Sequence, residues 1–214
     1  MVEIWQYLVY RRVDIAYWTL QHLQLVGIAM GVAIVLGVGL GLLLTRVRRL
    51  ATPVLGAASV VQTIPSIALL GIMIPLLGIG RTPAIVALTL YALLPIIRNT
   101  YTGIQQVDPA IVEAGRGMGM SNLQILTMVE LPLAVPVIIA GIRTSTVICV
   151  GIATLCTLIG AGALGTPIIT GIQTYNDAEI WAGALVAAAL ALALDFLLGR
   201  GEKMLTPKGL KVIS

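Results

Sequence analysis

The chain is poor in the side chains from which most catalytic and metal sites are built. It has one histidine, His22, and two cysteines, Cys149 and Cys156, seven positions apart on one apolar stretch. On a helix that separation is a rise of about 10.5 Å, too far for a disulfide between them. No CxxC or paired Cys/His spacing occurs, so zinc, haem and dithiol chemistry find no ligand set. There is no GxxxxGK[ST] run either, hence no phosphate cradle with its lysine. Charged residues make up only 10% of the 214, and Phe196 is the sole phenylalanine. The net charge of +4 does not point to nucleic acid, because the basic residues flank apolar runs, where they set membrane topology.

What is present is hydrocarbon. Hydrophobic residues account for 58% of the chain and the mean hydropathy is +1.02, the composition of a membrane protein. Inside a bilayer only helices or a closed barrel satisfy the backbone. The runs are too long and too unalternating for barrel strands, so an all-α integral membrane protein is expected, a single domain over residues 1–214 with its core at about 20–200.

Five transmembrane helices are predicted, at residues 23–44, 54–77, 83–97, 133–159 and 180–198. The second is interrupted by Pro65 and Pro75. The third reaches only about 22 Å at its apolar length, so it must extend through Arg98 to Thr102. The fourth contains Arg143, read as an arginine snorkelling to the cytoplasmic face or else a buried charge; Asp195 lies near the end of the fifth. With the 45–53 loop inside, Arg46, Arg48, Arg49, Arg98, Arg116, Arg200, Lys203, Lys208 and Lys211 are cytoplasmic, against Arg11, Arg12 and Arg81 outside. That bias puts the N-terminus out and the C-terminus in. No small-residue cleavage site follows the charged start, so no cleavable signal is expected. Trp5, Tyr7, Tyr10, Tyr17 and Trp18 read as an interfacial anchor lying along the outer surface. The pairs Gly27/Gly31 and Gly37/Gly41 allow close helix contact.

One long polar stretch stands out, residues 105–132, on the cytoplasmic side of this topology. Asp108-Pro109 starts a helix, with Asp as N-cap and Pro at the first position, running to about Arg116. Gly115, Gly117 and Gly119 supply a turn. Ser121 and Gln124 have capping-box spacing and open a second helix to about Glu130, after which Pro132 begins the next span. The result is a protruding helix-turn-helix, long enough to have a function of its own. Asp108, Glu113 and Glu130 read as caps and docking contacts, since an acid/base pair needs a closed pocket.

Within this island Glu113-Ala114-Gly115, then Gly119 after three residues, then Val129-Glu130-Leu131-Pro132 after nine, resembles the EAA signature of ABC-importer permeases. That signature is EAA, three residues, G, nine residues, I, any residue, LP; Gly115 stands for its second Ala and Val129 for its Ile. Gln62-Thr63-Ile64-Pro65-Ser66, MGMSNLQIL, LPLAVPVIIAGIRT and IGAGALG are similar to permeases of the glycine betaine/carnitine/choline branch, and the methionine permeases share the five-span plan. The resemblance implies a permease subunit of the bacterial or archaeal cytoplasmic membrane. Its partners would be a cytoplasmic ABC ATPase dimer, a second permease subunit, identical or homologous, and an extracytoplasmic substrate-binding protein. ATP and Mg would bind the ATPase and no cofactor this chain, which would not itself be an enzyme. Glu113, Ala114, Gly115 and Gly119, with Met118 and Ser121 beside them, would form the ATPase-coupling surface.

For the pathway and gate the candidates are Gln62, Thr63, Pro65 and Ser66, whose polar groups flank a helix break inside hydrocarbon and either line a cavity or bond a neighbouring helix. Gly160, Gly162 and Gly165 join them as a flexible turn or re-entrant gate. They satisfy GxGxxG, but the strand and acidic residue of a dinucleotide site are missing. Methionine or another amino acid is the alternative cargo. A secondary transporter, or a scaffold that moves nothing, is the alternative class.

Overall fold

The computed structural model describes residues 2–205; Lys208 and Lys211, which enter the charge bias above, lie outside the described residues. The described residues are helical nearly throughout. In order come α1 (Val2–Tyr10), α2 (Arg12–Arg46), a 3-10 turn (Arg48–Leu50), α3 (Ala51–Thr63), α4 (Ser66–Leu77), α5 (Arg81–Gln105), α6 (Pro109–Gly117), α7 (Asn122–Ile125), a π turn (Leu126–Glu130), α8 (Leu131–Leu155), a second 3-10 turn (Cys156–Ile159), α9 (Gly165–Thr174) and α10 (Asp177–Leu205).

Among the described residues, four helical stretches are long and apolar enough to cross a bilayer: α2, α5, the α7–α8 stretch and α10. The five-span count is reached with α3 and α4 as one bent span. These two meet at 100°, and at 13 and 12 residues neither alone covers the ~30 Å of hydrocarbon. The bend falls at Ile64-Pro65, where both residues are extended; a residue before proline is kept out of the helical region. Pro75 was expected to break this span too, but it lies inside α4.

The third span extends as its length demanded, to 25 residues. The first is longer than its apolar run suggested: α2 has 35 residues, about 52 Å, so its first turns project beyond the hydrocarbon. The aromatic anchor is therefore split. Trp5, Tyr7 and Tyr10 sit on α1, whereas Tyr17 and Trp18 belong to the long helix itself. Tyr7 donates to Glu179 Oε1 at 2.8 Å and so ties α1 to the start of α10. Burial, and then that bond, push its phenol above the ordinary tyrosine range.

The core forms where α2, α5 and α8 pack, around Leu25, Ala29, Ala33, Ala87, Leu88, Tyr91, Ile96, Cys149 and Val150. Missing side chains bring these helices close. A Cβ on Gly37 would lie 2.7 Å from Ile96 Cγ2, one on Gly41 2.5 Å from Thr100 Cβ, and one on Gly141 2.8 Å from the Pro95 carbonyl. Of the two glycine pairs on the first span, then, Gly37/Gly41 serves packing within the chain, whereas Gly27 and Gly31 face open space. Both cysteines are buried and free.

Pro95 sits in the middle of α5. Having no N–H, it leaves the Tyr91 carbonyl without its intrahelical donor. Gln62 on α3 supplies the replacement, its Nε2 donating to Tyr91 O at 3.0 Å, while the Tyr91 hydroxyl donates to Ile64 O at the bend. This exchange pins the bend of α3–α4 against α5, the arrangement that makes prolines tolerable in membrane helices.

Candidate functional site: the polar island and the cavity at the helix break

The island begins as its sequence dictates. Asp108 Oδ1 accepts from Ala110 N at 2.8 Å, with Pro109 at the first helical position. Gly119 takes φ +80 and reverses the chain, a conformation that costs glycine little. The Ser121 hydroxyl accepts from Gln124 N at 3.3 Å, and Gln124 Oε1 accepts from Ser121 N at 2.8 Å, completing the capping box.

Beyond this the structure differs from expectation. The second helix does not end at Glu130. It passes through the π turn, where Leu131 N–H bonds to Leu126 O, straight into α8. Residues 122–159 form one continuous helical stretch. Pro132 lies within this continuous stretch and lacks the N–H of an ordinary helical bond; the π turn immediately before it is the kind of local adjustment that lets a membrane helix carry a proline without breaking.

Glu113, Ala114, Met118, Gly119 and Ser121 are all exposed on this projection. Met118 (76% exposed), Leu123 (69%) and Met128 (66%) add apolar surface. Gly115 is turned inward, where a Cβ would meet Met120 Sδ at 3.2 Å, so it serves packing of α6 on the turn. Glu130 is not at the surface either. It is 8% exposed and bound to Arg46, Nη2 to Oε2, at 2.6 Å. Its reading as a docking contact fails for that reason.

Gln62, Thr63, Pro65 and Ser66 come together at the α3–α4 bend and line a cavity of about 360 Å³ with Tyr91, Ile148 and Ile152. Gln62 both lines it and bonds α5, so the two readings of this residue coincide. Gly160, Gly162 and Gly165 are elsewhere. They shape a tight turn between α8 and α9 in which Gly160 is exposed, Gly162 half-buried and Gly165 buried, held by Thr157 Oγ1 donating to Gly162 O at 2.5 Å and Ala163 N to Gln21 Oε1 at 3.2 Å. A Cβ on Gly165 would fall 1.7 Å from Thr154 O. The turn also meets the α4–α5 connection, where Gly80 N donates to Ile159 O at 2.8 Å.

Arg143 is neither unpaired nor simply snorkelling. Its Nε and Nη2 grip both oxygens of Asp195 at 2.9 and 3.0 Å, and Nη1 donates to Glu202 at 2.7 Å. Gly199 leaves room for the guanidinium. Sequence reasoning noted Asp195 but missed the pairing. The available signal was spacing: Asp195 and Glu202 are seven apart on one helix and so share a face, opposite a lone arginine in another span.

A polar projection continuous with a membrane helix, on a bundle of apolar helices around a bent span, is the build of a transporter's membrane subunit. Residues 33–208 match the family described as binding-protein-dependent transport system inner membrane component. The chain belongs to that family, a multi-pass inner-membrane permease that works with an ATPase and a binding protein. It is 50% identical over 202 residues to the osmoprotectant import permease protein OsmW of Salmonella typhimurium, covering 92% of this chain and 94% of that one. It is 46% identical over 198 residues to the glycine betaine/carnitine/choline transport system permease protein OpuCB of Bacillus subtilis, covering 92% and 91%. Among solved structures, a chain of the MetNI methionine ABC transporter in an inward-facing conformation superposes with a TM-score of 0.80 at 25% identity, covering 90% of this chain and 96% of that one.

Proposed function

We propose that this subunit carries a quaternary-ammonium osmoprotectant of the glycine betaine, choline or carnitine type inward across the cytoplasmic membrane. It does so as one of two permease subunits, identical or homologous, over a pair of ABC ATPases that bind ATP and Mg, and an extracytoplasmic binding protein delivers the solute. The single observation behind the mechanism is the capped island, which presents Glu113, Ala114, Met118, Gly119 and Ser121 on a projection continuous with α8. Gly115 supports that surface from within. With the N-terminus out and the C-terminus in, the island faces the ATPase. Tilting of the island under ATP-driven closure then moves α8, whose Ile148 and Ile152 wall the cavity beside Gln62, Thr63, Pro65 and Ser66. The turn at Gly160, Gly162 and Gly165 closes the opposite end of α8 against α4–α5 and serves as the outer gate.

The cargo class rests on relatives at 46–50% identity over nearly the whole chain. Few aromatics are available to cage a cation, so selection among such solutes falls to the binding protein. Methionine import is the second reading, favoured by the fold match at 25% identity. Uptake measured in a strain lacking its other importers, with betaine, choline, carnitine and methionine supplied in turn, separates the two. Accumulation of methionine alone would overturn the osmoprotectant reading.

A further inference from the structure

We propose that the Glu130–Arg46 ion pair is the polar joint that makes the first span follow movement of the island, in addition to apolar packing, with Glu130 as a positioning residue for coupling. This rests on the docking role proposed above for the island.

Glu130 occupies the position of the EAA-like spacing where any residue is allowed, so the signature asks for no carboxylate there. Its burial is nevertheless nearly complete, and Arg46 is the one ion-pair partner it has among the described residues. A buried carboxylate is costly unless paired, and Arg46 reaches this one from the solvent side, its own side chain 42% exposed. The pair also joins two structural ends. Arg46 is the last residue of α2, and Glu130 is the last residue of the π turn, where the island becomes α8.

The π turn determines where Glu130 points. An i→i+5 turn carries one more residue than an α turn and so rotates everything after it by about 100° relative to an uninterrupted helix. Through the Leu131 N–H to Leu126 O bond the carboxylate faces α2. Such turns inside helices recur at functional positions.

Apolar packing links the same elements, with Val38 and Leu42 of α2 in one cluster with Ala134 and Ile138 of α8, and the ion pair adds a polar tie at their inner ends. α6 rests on α7 and the π turn. A cleft of about 260 Å³, lined by Arg48, Val112, Glu113 and Arg116, separates it from the inner end of α2, and Arg46 and Glu130 meet at the cleft wall. A push on α6 is thus delivered to the π turn, carried along α8 by helix continuity, and shared with α2 by the ion pair. α2 and α8 both pack on α5, so a common displacement of their inner ends moves the core as a unit.

The test uses the whole complex, reconstituted with the ATPase and binding protein encoded beside it. Four forms are compared: wild type, Glu130→Gln, Arg46→Lys, and the charge-swapped Arg46→Glu/Glu130→Arg. Retained ATPase, thermal stability, binding-protein stimulation of hydrolysis and solute moved per ATP are read for each. Glu130→Gln is expected to hold its ATPase while stimulation and uptake per ATP fall about tenfold, the scale of coupling changes from residues between sites. Arg46→Lys, which keeps the charge, stays within about threefold of wild type, and the swapped pair recovers most of the loss. Normal coupling in Glu130→Gln overturns the proposal. So does loss of stability and bound ATPase in proportion to coupling, which marks a purely structural contact. Arg46→Lys keeps the test decisive if the swapped pair does not insert. A wild-type complex that retains no ATPase sinks the docking reading itself, a separate outcome from normal coupling in the variant.

Discussion

Replacing Gln62 by Leu keeps the side chain's bulk and removes its amide. The Tyr91 carbonyl, already deprived of a donor by Pro95, then loses the Gln62 Nε2 bond of 3.0 Å. An unsatisfied buried acceptor costs about 1–3 kcal/mol, while hydrogen bonds between membrane helices average about 0.6 kcal/mol with a maximum near 1.7. A loss of about 1 kcal/mol is therefore expected. The origin of that loss is checked by Pro95→Ala, which restores an N–H able to donate to Tyr91 O within α5. In that background Gln62→Leu removes a redundant bond, so the two changes should couple by about 1 kcal/mol. Reversible unfolding of the purified subunit in mixed micelles measures all four corners of the cycle without relying on uptake, which Gln62 affects separately through the cavity. Equal losses in both backgrounds, to within about 0.3 kcal/mol, would refute the account of how the bend is pinned.

Three further outcomes follow. Gly141→Val drives a side chain into Asn99 Cβ at 2.6 Å and Pro95 O at 2.8 Å and should cost the subunit about 1–3 kcal/mol in the same unfolding assay; Gly39→Ala, with nothing within 4 Å, should be neutral there. Ser121→Ala breaks the capping box and should destabilise the island locally by about 1 kcal/mol, visible as faster hydrogen exchange at the Gln124 amide with the spans unchanged. Arg143→Gln removes the cation that Asp195 and Glu202 both hold. It should lower membrane yield more than the double change Arg143→Gln/Asp195→Asn, because one-sided removal leaves Asp195 in the span without the guanidinium that grips both its oxygens.

The island was the most legible part of the chain because its structure is local. Asp108-Pro109, Gly119 and Ser121/Gln124 form their caps and turn within a few residues, and each forms as the sequence dictates. The spans were legible as apolar lengths, including the extension of the third. The continuation of the island's second helix past Glu130 was not, because nothing in the residue types distinguishes a π turn that continues into a span from a helix terminus. The bend at Pro65 was visible and its size was not, since 100° depends on Gln62 and Tyr91 meeting across 29 positions. Pro75 carried the same residue type and does not end α4, so proline alone marks a candidate only. Arg46–Glu130 and Arg143–Asp195–Glu202 join residues 52 to 84 positions apart. Pairings at that range are set by how helices pack, which composition and periodicity do not encode. The 160–165 turn read as loose from its glycines, yet Gly162 and Gly165 are what let it pack against Gln21 and the Thr154 carbonyl.

The central claim is that partner-driven motion of the island powers inward movement of solute. Its most direct measurement is glycine betaine uptake into proteoliposomes holding this subunit with its ATPase and binding protein, with and without ATP on the island's side. The account predicts ATP-dependent accumulation that Glu113→Arg and Gly119→Asp each abolish while insertion of the subunit is unchanged. Accumulation without ATP, or normal ATP-dependent uptake in either variant, would contradict it.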